Sequence, residues 1–148
     1  MKIDSTLNIS DFNVKLLDNK ADQLSISRNC LIIKLLLQYA EKQKNKLIQE
    51  RRIVYQKKKE GNVWLKKHIW LEPKFYEKCL DLRKFHKCSV SLILAIAIDL
   101  YLDEIDNNTD NYEYYYKFII INNGKYPIFI VMWGRIEKKE SIIFKQLN

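Results

Sequence analysis

An α+β fold, four helices with two short antiparallel strands and a β-rich tail, is predicted by three observations on the 148-residue sequence. A short alternating segment followed by one amphipathic and one almost wholly apolar helical segment occurs twice. The two copies are separated by a strongly basic stretch. After residue 111 the pattern changes to aromatic and β-branched runs around Asn123-Gly124, a strong short hairpin signal. A 47 % hydrophobic content is enough for a core.

Residues 4–9 alternate, with Ser5, Leu7 and Ile9 on one side and Asp4, Thr6 and Asn8 on the other, the period-2 pattern of a half-buried strand. Ser10 or Asp11 caps a helix whose Val14, Leu17, Ala21 and Leu24 form one stripe. A break at Leu24-Ser25-Ile26 leads to Ser27, a good N-cap, and Arg28 onward is a second helix, apolar nearly all round. Such a helix must be surrounded by other elements.

The same order returns downstream. Val63, Leu65, Lys67, Ile69 and Leu71 alternate with Asn62, Trp64, Lys66, His68 and Trp70, which gives a second strand. Pro73 suits a first helical position, and Phe75, Cys79, Leu82 and His86 make the stripe of a third helix. Cys88-Ser89-Val90-Ser91 repeats the corner, and Leu92 to Leu102 is the second apolar helix. Aligning Ser27 with Ser91 gives an offset of 64 residues, whereas aligning Ile9 with Leu71 gives 62, so the third helix is expected to be about two residues longer than the first. The predicted organisation is a first copy over 1–40, a basic linker or helix extension over 41–62, a second copy over 63–106, and a C-terminal β hairpin or meander over 112–148 with Ser141 to Leu147 as the candidate third strand.

Net charge is +8, and its distribution is uneven: residues 1–40 carry +1, residues 41–88 carry +9 and residues 89–148 carry −2. A polyanionic partner should therefore meet the middle of the chain. Three glycines leave no phosphate-cradling loop, which removes the common nucleotide-binding classes. The three cysteines form no CxxC pair. Cys79, His86 and Cys88 lack a fourth ligand and Cys79 lies on a core stripe, so neither metal nor cofactor is expected. The acidic cluster Asp103, Glu104 and Asp106 has no histidine nearby and reads as a solubilising helix end, so the chain is expected not to be an enzyme. The first residues are not a secretory signal and the longest apolar stretch is about half a bilayer span. A cytoplasmic protein without a membrane segment is expected.

One strand and two helices cannot bury a helix that is apolar all round; two such copies can, if their strands pair antiparallel and the apolar helices pack together. With Leu24-Ser25-Ile26-Ser27-Arg28-Asn29-Cys30-Leu31-Ile32 at the corner, the chain resembles the ribbon-helix-helix (MetJ/Arc-like) superfamily over about 80 residues, as a tandem version that forms the dimer inside one chain. The resemblance implies a tandem ribbon-helix-helix pseudo-dimer and sequence-specific binding of double-stranded DNA, as in a transcriptional regulator, by a ribbon in the major groove. Position by position it places Asp4, Thr6 and Asn8 of strand one and Lys66, His68 and Trp70 of strand two on the groove side. Thr6, Asn8, Lys66 and His68 are the base-contacting candidates. Asn can pair with adenine, and Lys donates to guanine acceptors.

It also places Ser27, Arg28, Asn29 and Ser91 at backbone phosphates, where helix-start N–H groups attract anions. Asp4 and Trp70 depart from the pattern, as do Leu92 and Ile93 after Ser91. The alternative is a protein–protein interaction module that keeps the fold, covers its ribbon with Trp64, Trp70 and the tail, and pairs with a protein or a second copy through the C-terminal sheet.

Overall fold

The computed structural model describes residues 1–43, 51–58, 61, 63–107, 112–123 and 126–137; from residue 112 onward it describes the backbone alone. The architecture is α+β, with a two-stranded antiparallel sheet and four helices. β1 (Ile3–Ser10) leads into α1 (Asp11–Leu24) and α2 (Arg28–Lys42), and β2 (Trp64–Leu71) into α3 (Pro73–His86) and α4 (Val90–Tyr101). A single 3-10 turn, Leu102–Glu104, ends α4.

The two strands lie side by side in one chain, with Thr6 opposite His68 at the centre, Ser5 opposite Ile69, Leu7 opposite Lys67, and Ile3 opposite Leu71. Alternation does what the pattern requires: Leu7, Ile9, Ile69 and Leu71 are buried, while Asp4, Thr6, Asn8, Lys66, His68 and Trp70 are exposed. Ser5 and Lys67, the polar residues on the inward side, are half-buried near the middle of the ribbon.

Each helix begins for a local reason. The Ser10 hydroxyl accepts from Asn13 N–H at 3.2 Å, and the Ser27 hydroxyl from Cys30 N–H at 3.1 Å. Pro73 stands in the first turn of α3. The α1 stripe is buried at Val14, Leu17 and Ala21, and the α3 stripe at Cys79, Leu82 and Phe85. No residue of α2 from Arg28 to Glu41 is exposed. α2 packs on α4, α1 on α2 and α3 on α4. The core is Leu31, Ile32, Leu35 and Leu36 meeting Ile93, Leu94, Ala97 and Ile98, roofed by Ile9 and Ile69.

Two expectations are corrected. First, α1 and α3 are both 14 residues long, so the third helix carries no extra residues. Second, the corner serine of the second copy is Ser89, not Ser91: the Ser89 hydroxyl accepts from Leu92 N–H at 3.2 Å and α4 starts at Val90. The left-handed residues that end the first helix of each copy, Ser25 (φ 54) and Lys87 (φ 53), and the caps Ser27 and Ser89 are then all related by the offset of 62 that the strand ends indicate.

The linker follows α2, whose last helical residue is Lys42. Its described part, residues 51–58, contains no helix and lies along the second corner. Val54 N–H donates to Lys87 O at 2.8 Å, and Ser89 N–H donates to Val54 O at 2.9 Å. Further on, β3 (Tyr112–Asn123) and β4 (Tyr126–Glu137) pair antiparallel, from Tyr112 opposite Glu137 to Asn123 opposite Tyr126. The expected third strand, Ser141 to Leu147, lies outside the described residues, as does Gly124 of the turn.

Candidate nucleic-acid interface

Eight-residue strands make a ribbon about 27 Å long and, counting the two strands, roughly 5 Å between chain axes, a size that enters a major groove about 12 Å wide. All six outward side chains between Asp4 and Asn8 and between Lys66 and Trp70 are exposed, Trp70 to 52 %. The ribbon face is thus open. Trp64, expected to help cover it, is half-buried at the end of the strand opposite Ser10.

Of the four base-contacting candidates, Asn8 and Lys66 are directly opposite one another and Thr6 is opposite His68. The His68 ring has a partner already: its Nδ1 lies 2.9 Å from Asp4 Oδ1, diagonally across the ribbon, with both residues exposed. Thr6, Asn8 and Lys66 have solvated polar ends, as groove reading needs.

The phosphate candidates divide. Ser27 caps α2 and is exposed. A helix start leaves its first N–H groups without intrahelical acceptors, which is the chemistry an anion uses.

Arg28 has a partner within the chain. Its Nε donates to Asp18 Oδ1 at 2.7 Å and its Nη2 to Asp18 Oδ2 at 2.8 Å, a bidentate pair between α2 and α1. This hydrogen bonding holds the Asp18 carboxyl below the ordinary aspartate value and raises the Arg28 guanidinium, with burial opposing both. The cation assigned to a phosphate is neutralised by a carboxylate of its own chain.

Asn29 and Ser91 are also committed elsewhere. Asn29 Nδ2 donates to Trp70 O at 3.1 Å while Trp70 N–H donates to Asn29 Oδ1 at 2.8 Å. Ser91 Oγ accepts from Asn8 N–H at 3.0 Å. Asn29 and Ser91 are separated by 62 positions, as are Asn8 and Trp70, so both clamps join the first turn of an apolar helix to the outer edge of the other copy's strand. Each satisfies an edge group that strand pairing leaves over, and together they fix the ribbon on the helices.

Sequence reasoning missed three residues here. Ser89 is the second helix cap, and its signal was the first of the two serines in Ser89-Val90-Ser91. Lys58 and Arg83 line, with Asn8, Lys66, Ser89 and Ser91, a cavity of about 530 Å3 between the edge of β1, α3 and the start of α4. Among the described residues its walls hold three cations and no carboxylate, and Arg83 Nη2 donates to Tyr55 Oη at 3.1 Å. Only the basic run through residue 59 hinted at it.

No family model, curated protein or solved structure matches the chain. Among the described residues no group of three His, Cys, Asp or Glu side chains could hold a metal, and no helix is long and apolar enough to cross a membrane. The Cys79 thiol, on the core stripe, is pushed up to about 12 by burial. A thiol in that state is a packing group rather than a ligand or nucleophile.

Proposed function

We propose that the chain is a non-enzymatic, sequence-specific DNA-binding protein, a transcriptional regulator whose two copies form a ribbon-helix-helix pseudo-dimer within one polypeptide. The pseudo-dyad passes between Thr6 and His68, and the C-terminal strands form an appended hairpin. The ribbon enters the major groove with Thr6, Asn8 and Lys66 toward base edges, and the capped starts of α2 and α4 lie at flanking phosphates. One observation carries this: the outward face of the β1–β2 ribbon is open, polar at its centre and framed by two serine-capped helix starts. The net +9 of residues 41–88, with Lys58, Lys66 and Arg83 around one of those starts, supports the electrostatic part.

The covered-ribbon alternative needs Asp4, Thr6, Asn8 and Trp70 out of solvent, and they are exposed, so no observation favours it. Titration with random-sequence duplex at two salt concentrations tests the proposal. Affinity should fall as salt rises, and Thr6→Ala with Asn8→Ala should remove discrimination between duplexes in a protein that stays folded. Salt-independent affinity, or discrimination untouched by the double substitution, would exclude it.

A further inference from the structure

The two ends of the ribbon are not alike, and their differences all run the same way. The 62-residue offset exchanges Asp4 with Lys66 and Asn8 with Trp70. Because Asn8 pairs with Lys66 and Asp4 with Trp70, one end of the exposed face carries an amide and a cation, and the other an indole and an anion. A homodimer would present the same pair twice. The flanking corners repeat the contrast. The α4 start, joined through Ser91 to the Asn8 edge, lies beside Lys58 and Arg83 in a cavity whose described lining residues include no carboxylate. The α2 start, joined through Asn29 to the Trp70 edge, has its arginine closed on Asp18. Where the second copy has Leu80 and Val90, the first has that ion pair, Asp18 and Arg28.

Resting on the groove-reading function above, we infer that the chain binds a non-palindromic duplex in a single orientation. The Asn8 and Lys66 end, with the Lys58 and Arg83 corner behind it, supplies the specific half: an amide suited to the adenine edge and an ammonium suited to the guanine acceptors define a purine-bearing half-site. The Asp4 and Trp70 end reads little. Asp4 is engaged with His68, and a carboxylate among phosphates lowers affinity on that side. Orientation on DNA is thus written into the chain by the difference between its two ends.

Selection of duplexes with a randomised window of about eight base pairs, the span of one 27 Å ribbon, tests this. It is run with the full chain, with Lys66→Ala, and with Asp4→Lys combined with Trp70→Asn, which gives both ends the lysine and asparagine pair. The wild-type sequence motif should be non-palindromic. Lys66→Ala should lose preference in one half only. The symmetrised variant should prefer a palindrome of the wild-type half-site over the wild-type site by about tenfold. A palindromic wild-type motif would overturn the inference while leaving groove reading intact, whereas no sequence enrichment at all would remove the groove-reading function and the inference with it. The two exchanged positions are exposed, and circular dichroism of the symmetrised variant checks that it is folded; the wild-type and Lys66→Ala motifs decide the matter without it.

Discussion

Replacing Asn29 by alanine removes both hydrogen bonds to the Trp70 backbone, one in each direction. At about 1 kcal/mol for each bond the loss is about 2 kcal/mol, offset by about 0.5 kcal/mol because alanine is the better helix former, which leaves about 1.5 kcal/mol. Ser91→Ala removes a single bond, from Asn8 N–H, and by the same arithmetic costs about 0.5 kcal/mol. For a chain of this size those values lower the melting temperature by roughly 3–6 °C and 1–2 °C. The assay is thermal and urea unfolding of the two variants beside duplex titration at a temperature where both remain folded. As ribbon clamps, both should lose stability, the Asn29 variant about three times as much as the Ser91 variant, with duplex affinity altered less than about threefold. A variant at Asn29 that melts with the wild type yet binds duplex tenfold more weakly would refute the clamp and restore the phosphate role that the sequence suggested.

Further outcomes follow from other contacts. Arg28→Met should leave the salt dependence of duplex binding unchanged, since its charge is spent on Asp18, whereas Lys66→Met should reduce the log–log slope by about 0.9; equal reductions would contradict the ion-pair assignment. Because the folded Asp18 carboxyl lies below its ordinary value, its contribution is present above about pH 4 and disappears as acid titrates the folded group. The urea midpoints of wild type and Asp18→Asn should therefore converge as pH falls below 3.8, and a gap that persists there would sink this linkage. Leu35→Ala, at a side chain with no exposure in the α2–α4 core, should cost about 2–5 kcal/mol in one cooperative transition seen alike by tryptophan fluorescence and circular dichroism; two separate transitions would mean the copies fold independently. Lys87→Gly relieves a left-handed lysine and should be neutral or stabilising by about 1 kcal/mol, a loss of stability counting against the observed corner geometry.

The sequence exposed the parts of this molecule that depend on periodicity. Alternation at Leu7 and Ile9, and at Ile69 and Leu71, located both strands and chose their buried faces correctly, because a single face of each is covered. Ser27 and Pro73 located helix starts through cap chemistry that is local. What escaped notice depends on geometry between distant positions. Two serines two residues apart compete for the cap of α4, and the choice falls to Ser89 because Lys87 takes a left-handed conformation that nothing in a lysine announces. Arg28 stands at a helix start, where an anion site is a fair inference, yet Asp18 reaches it from ten positions away across the corner. Asn29 and Ser91 have the right polarity for phosphates and also hold ribbon edges, a use that only the packed strands define. The docking of Val54 against Lys87 and Ser89 joins a linker of ordinary basic composition to one corner, with no pattern to foretell it.

Protection of guanine N7 from methylation in an enriched duplex is the most direct measurement, since that atom faces the major groove alone. Binding of the wild-type chain should shield N7 positions in the selected half-site, and the shielding should vanish with Asn8→Ala and Lys66→Ala. A bound duplex whose guanine N7 atoms all stay reactive would place the β1–β2 ribbon outside the groove.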